Sequence, residues 1–95
     1  MAHPPNLIAA LALADDLVEI LDAGVPARHQ DPGLHEKGIA ALDAAVKRHD
    51  PHGRLDPFGS EYMLRACGYR STSTMGLTGA CLNWIAQVRR KTGGQ

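Results

Sequence analysis

The chain has few aromatic residues and few cysteines. Its 95 residues include one tryptophan, two tyrosines and one phenylalanine, so the core must consist mostly of aliphatic side chains, which pack well between helices. The two cysteines, Cys67 and Cys81, are too few for a disulfide framework, and they lack the C-x-x-C spacing of metal and redox motifs. We therefore expect both to be reduced thiols that serve as small core residues.

The chain also lacks a long apolar run. Asp15 and Asp16 interrupt its longest apolar stretch, which falls short of the roughly 18 residues that a membrane-spanning segment needs. No cluster of Lys or Arg precedes that stretch, which argues against a secretory signal peptide. We expect no membrane partner and a cytoplasmic location. Because a chain of this length has room for only one core, we expect residues 1–95 to form a single helical domain.

The net charge is zero, but the charges are divided unevenly along the chain. Residues 1–46 contain seven acidic and two basic residues, whereas residues 47–95 contain eight basic and three acidic residues. Such asymmetry is typical of a basic nucleic-acid surface, of a charged protein partner, or of two halves that face one another. The sequence alone leaves these three interpretations open.

Hydrophobic periodicity predicts an all-α fold, an irregular bundle of four helices. The second and third helices are each preceded by an Asp-Pro pair, in which the aspartate can cap free amides and the proline takes the first helical position. Gly24 and Gly68 provide left-handed stops for the first and third helices. The predicted helices span about residues 6–23, 32–49, 57–67 and 72–91.

Residues 60–90 resemble a helix-turn-helix, the motif of many small DNA-binding regulators. In this resemblance Gly68 forms the turn, and the helix that follows Ser71 is the recognition helix. The pattern departs from the motif at Thr74, where a buried aliphatic residue is usual. The resemblance implies phosphate contacts from hydroxyls at the start of that helix and from nearby arginines, with Arg54 as a further contributor. The implied nucleic-acid-binding residues are Arg65, Arg70, Ser71, Thr72 and Ser73.

One side of the first predicted helix is strongly acidic and can engage a basic protein surface. The predicted protein-binding residues are Asp15, Asp16, Glu19 and Asp22. We therefore expect a non-enzymatic macromolecular-interaction protein, a small inhibitor or adaptor of the kind that phages encode, with a protein partner. The alternative is a helix-turn-helix-like DNA-binding regulator. A competing interpretation is that the charged halves neutralise each other, within the bundle or across a homodimer.

The spacing of candidate ligands and catalytic residues does not favour a metal site or a catalytic site. The closest pair of candidate ligands, His49 and His52, is separated by the helix-breaking Pro51. Asp15 and Asp16 diverge by about 100° on a helix, and both cysteines lie on apolar stripes where a thiolate is disfavoured. We therefore expect no metal, no cofactor and no enzymatic activity. The candidate ligands considered are His29, Asp31, His35, His49, Asp50, His52 and Asp56.

Overall fold

The computed structural model describes residues 5–92, which form an α+β fold. The prediction of an all-α four-helix bundle is wrong, because residues 54–73 form a three-stranded antiparallel sheet of order β1-β2-β3. The elements along the chain are α1 (Leu7–Ala23), α2 (Pro32–His49), β1 (Arg54–Phe58), β2 (Glu61–Ala66), β3 (Tyr69–Ser73) and α3 (Gly76–Thr92).

The first two predicted helices match α1 and α2, because their caps can be read from the sequence. The Asn6 side chain accepts a hydrogen bond from the Ala9 amide at 3.1 Å, and Asp31 accepts from the Leu34 amide at 3.1 Å. Pro32 occupies the first turn of α2, as predicted. Gly24, with φ of 101°, ends α1 in a conformation that residues with a side chain rarely adopt.

The third predicted helix, 57–67, does not exist, and the helix-turn-helix resemblance of residues 60–90 is wrong with it. This segment contains the end of β1 and all of β2, and Gly68 lies in a β-hairpin turn. Asp56-Pro57 repeats the composition of a helix start, but Pro57 lies in an edge strand, the place in a sheet where proline is tolerated. The last helix begins at Gly76, later than predicted, because Thr72 and Ser73 belong to β3.

The β2–β3 turn has an unusual sequence. Cys67 and Gly68 both have positive φ, 55° and 84°, which is the pattern of a two-residue type I′ turn. The helical half of the molecule holds this turn in place. The Cys67 amide donates to Asp50 Oδ2 at 2.8 Å, and the Cys67 carbonyl accepts from the Asn6 amide at 2.9 Å. Contacts with the end of α2 and the start of α1 therefore compensate for a cysteine in a conformation that favours Gly or Asn.

Helix α3 covers one face of the sheet. Trp84 on α3 is fully buried, and its indole N–H donates to the Tyr69 carbonyl at 3.2 Å. Ser71 on β3 donates to Gln87 on α3 at 2.8 Å. One buried cluster, which includes Leu17 of α1 and Leu42 of α2, joins all three helices to this face of the sheet. Most side chains on the opposite face of the sheet are exposed or half-buried, and among residues 5–92 no helix covers them.

We expect Asp50→Ala to lower the free energy of unfolding by about 1–3 kcal/mol, because the Cys67 amide loses its acceptor in a part-buried position. Urea unfolding followed by Trp84 fluorescence measures this change. The control is Asp43→Ala, which removes an exposed pair with Lys47 at 3.0 Å and should change stability by less than about 0.5 kcal/mol. Equal losses in the two variants would show that the turn does not depend on Asp50.

Candidate functional site

The uncovered side of the sheet, here called the open sheet face, is defined by strand alternation. Side chains of successive strand residues point to opposite faces, and Leu64 and Ser71 point toward α3. The residues at the other positions therefore share the opposite face. They are Arg54, Asp56, Phe58, Glu61, Met63, Arg65, Arg70 and Thr72.

Three arginines lie side by side across this face. Arg54 of β1 stands opposite Arg65 of β2, and Arg65 stands opposite Arg70 of β3. All three are exposed, and we call them the arginine row. Neighbouring strands are about 4.8 Å apart, so the outer two arginines start from backbones roughly 10 Å apart. Like charges that are directly opposite in a sheet destabilise it, so folding stability does not explain the row.

The three guanidinium groups have different surroundings. Arg54 Nη1 lies 3.3 Å from Asp56 Oδ2, and both side chains are about half exposed or more. The Arg70 guanidinium lies 5.2 Å from the centre of the Phe58 ring, a cation–π distance, and this contact passes over β2 because β2 separates their strands. The side chain of Arg65, at the centre, has no hydrogen bond or ion pair with another residue of the range 5–92. The central charge is therefore available to a ligand.

A polar pocket of about 590 Å³ adjoins the arginine row. Three of its lining side chains, Lys47, Arg54 and Arg65, are cationic. Its single carboxylate, Asp56, already contacts Arg54. The pocket extends the row toward the end of α2 and has a composition that suits an anion. It is lined by Lys47, Pro51, His52, Gly53, Arg54, Asp56 and Arg65.

The predicted acidic surface on α1 is divided by contacts inside the molecule. Asp15 pairs with Arg89 of α3 at 3.5 Å, and Asp16 contacts His49 at 2.6 Å and Arg48 at 3.5 Å, both at the end of α2. Two of the four carboxylates thus contact basic residues from the second half of the chain. Glu19 and Asp22 are exposed and have no such contact among residues 5–92.

The surroundings of Asp16 favour its charged form. The hydrogen bond from His49, with a smaller contribution from Arg48, holds the pKa of Asp16 below its ordinary value. The acidic and basic halves of the chain therefore neutralise each other in part, at the junctions of α1 with α2 and α3. The arginine row takes no part in these junctions: Arg54 contacts Asp56, and Arg65 and Arg70 are exposed and have no ion pair among residues 5–92.

The predicted nucleic-acid residues fall on two sides of the sheet. Arg65, Arg70 and Thr72 share the open sheet face. Ser71 and Ser73 point the other way: Ser71 bonds Gln87, and the buried Ser73 hydroxyl accepts from the Met75 amide at 2.9 Å. Sequence reasoning missed Phe58 as a member of the site. The arrangement could have been predicted from the positions of Gly59-Ser60 and Cys67-Gly68 in the sequence. Two-residue hairpin loops at these positions place the three arginines opposite one another.

The cysteines and histidines show no arrangement for catalysis or metal binding. Burial raises the pKa of Cys81 to about 12, and burial together with Asp50 raises the pKa of Cys67, so both thiols are protonated at neutral pH. Within residues 5–92, no three His, Cys, Asp or Glu side chains are grouped closely enough to hold a metal ion. No helix in that range is long and apolar enough to cross a membrane.

Comparisons of the chain with protein families, with curated proteins and with solved structures found no match. A functional proposal therefore depends on the geometry of the chain itself.

Replacing Asp16 with Asn should destabilise the protein at neutral pH by about 1 kcal/mol, because the contacts with His49 and Arg48 lose a charged acceptor. Since the folded-state pKa of Asp16 is depressed, its contribution is present above the unfolded pKa of about 3.9 and is lost as the pH falls through the lower folded value.

Unfolding curves at pH 7 and at pH 2–3 test this pH dependence. The difference between wild type and Asp16→Asn should shrink at the acidic end. Glu19→Gln, at an exposed position of the same helix, should have little effect at either pH. A difference that persists undiminished at low pH would rule out the Asp16 carboxylate as its source.

Arg65→Gln should stabilise the fold by a few tenths of a kcal/mol, because it removes the like charge opposite both Arg54 and Arg70. The melting temperature should rise by roughly 1–4 °C at low ionic strength. The gain should diminish in about 0.5 M salt, where the charges are screened. Arg90→Gln, at the favourable carboxyl end of α3, is the matched control and should bring no gain. A lower melting temperature for Arg65→Gln would mean that the row contributes to folding.

Proposed function

We propose that this protein binds nucleic acid without enzymatic activity, and that its contact surface is the open sheet face. The observation that carries the proposal is the register of Arg54, Arg65 and Arg70 on one exposed face of the sheet. Guanidinium groups match phosphate geometry through paired N–H donors, and they remain charged at every physiological pH. A cytoplasmic location belongs to the same proposal.

The energetics of the row support a polyanionic partner. Three like charges in direct register repel one another, and a ligand with regularly spaced negative charges removes that repulsion on binding. Arg65 lacks a competing partner within residues 5–92, so no intramolecular ion pair has to break at the centre of the surface. The polar pocket beside the row adds Lys47, which also contacts Asp43 at 3.0 Å, to the same edge.

A second candidate function is the binding of a basic protein by α1, as an inhibitor or adaptor. It is supported by the exposure of Glu19 and Asp22, whose carboxylates have no hydrogen bond or ion pair among residues 5–92. This surface is smaller than the sequence indicates, because Asp15 and Asp16 contact Arg89, Arg48 and His49. Two exposed carboxylates on one helix are common on protein surfaces, so we favour the nucleic-acid proposal.

Arg65→Gln should weaken binding to labelled DNA, tested as both a duplex and a single strand of mixed sequence. We expect about a tenfold loss of affinity at 50 mM salt and a salt-dependence slope reduced by about one, as the loss of one phosphate contact requires. Fluorescence anisotropy across a salt series measures both quantities.

The matched control is Arg90→Gln, which makes the same charge change on α3, away from the open sheet face. It should retain most of the affinity. Because Arg65→Gln is expected to be at least as stable as the wild type, its loss of binding cannot be attributed to unfolding. An absence of binding by the wild-type protein at low salt, or equal losses in the two variants, would refute the proposal.

A further inference from the structure

We infer that the nucleic acid recognised by the open sheet face is duplex DNA, and that strands β2 and β3 present this face to its major groove. This inference depends on the proposed function and names its substrate class. In this arrangement Arg65 reaches base edges, while Arg54, on the outer strand β1, lies against a phosphate at the groove wall.

The dimensions of the hairpin favour the major groove. The major groove of B-DNA is about 12 Å wide and admits a two-stranded ribbon, whereas the minor groove is about 6 Å wide. Strands β2 and β3 are joined by a two-residue turn and place Arg65 and Arg70 directly opposite each other. Strand β1 lies on the other side of β2, so Arg54 is displaced sideways from Arg65 by one strand spacing, in the direction away from Arg70.

The aromatic content of the face argues against single strands. Surfaces that bind single-stranded nucleic acid stack successive bases on exposed aromatic rings. Only Phe58 is available on the open sheet face, and Arg70 already lies over its ring. Tyr62 and Tyr69 lie on the α3 side of the sheet and pack against the core. The face therefore lacks a series of stacking platforms.

The carboxylates of the face favour contact with bases over contact with the backbone alone. Glu61 and Asp56 share the surface with the arginine row, and both would repel phosphates. In the major groove a carboxylate can instead accept a hydrogen bond from the amino group of cytosine, while an arginine can bind guanine through O6 and N7. A surface of mixed sign therefore suits the donor and acceptor pattern of base edges.

The contact between Arg70 and Phe58 restricts one arginine of the hairpin. It passes over β2, whose Met63 is only 8% exposed although it lies on the open sheet face. Restriction of a long side chain before binding reduces the entropy that is lost on binding. Arg65 has no such contact within residues 5–92, so its guanidinium can adapt to a base edge.

A competition experiment tests the inference with the wild-type protein. We expect a mixed-sequence DNA duplex to bind about tenfold more tightly than either single strand and than an RNA duplex, whose major groove is too deep and narrow for side chains to read. Methyl green, which occupies the major groove, should displace the protein from DNA, and netropsin, which occupies the minor groove, should not.

The outcomes separate the inference from the proposed function. Equal or tighter binding to single strands or to RNA duplex, with the effect of Arg65→Gln retained, would overturn the duplex inference and leave nucleic-acid binding intact. Displacement by netropsin alone would overturn the major-groove placement in the same way. An absence of binding to all three probes would overturn both.

Arg65→Lys tests whether Arg65 contacts bases. Lysine keeps the charge but cannot form the paired hydrogen bonds to guanine. From a pool of randomised duplexes, the wild type should enrich a guanine-containing sequence, and Arg65→Lys should reduce that preference about tenfold while it retains the salt dependence. Arg90→Lys, on α3 and outside the open sheet face, is the control and should keep the preference. An unchanged preference in Arg65→Lys would show that Arg65 contacts only phosphate.

Discussion

The packing of α3 on one face of a three-stranded sheet is the constraint on which the rest of the structure depends. Because strand side chains alternate, burial of Leu64 against the core also determines that Arg65 points to solvent. Trp84 and Gln87 anchor α3 to backbone and side-chain atoms of β3, which fixes the choice of face. A slip of one residue would put an arginine into an aliphatic core, so the interactions that stabilise the fold also specify the open sheet face.

The two amino-terminal helices contribute to this register through a few polar contacts. Asp50 and Asn6 hold Cys67 in the left-handed conformation that the β2–β3 turn requires, and that turn pairs Arg65 with Arg70. Two acidic residues of α1 also have a structural role, since Asp15 contacts α3 and Asp16 contacts α2. Some of the residues that make the charge distribution uneven therefore hold helices together. The arginines of the arginine row are not among them.

Sequence patterns predicted α1 and α2 because Asn6, Gly24 and the Asp31-Pro32 pair are local signals with local causes. The sheet was missed because its signals depend on tertiary contacts. Cys67-Gly68 does not have the Asn-Gly composition of a type I′ turn, and its conformation depends on Asp50, which is remote in sequence. Met63 is buried on the outward face, which obscures the alternation of β2. Arg65 and Arg70 could be selected as charged candidates, but their alignment with Arg54 depends on a hairpin register that local sequence patterns did not reveal.

The placement of the carboxylates on the open sheet face is the strongest reason to regard the arginine row as functional. A sheet that used these charges for stability would place each arginine opposite an acid. Asp56 instead stands opposite Met63, Glu61 stands opposite Phe58, and the three arginines stand opposite one another. Elsewhere in the chain, acidic and basic side chains do meet across elements, as Asp15 and Asp16 show. Function is expected at sites where an otherwise consistent fold gives up local stability. In this protein, that argument favours the arginine row over the acidic surface of α1.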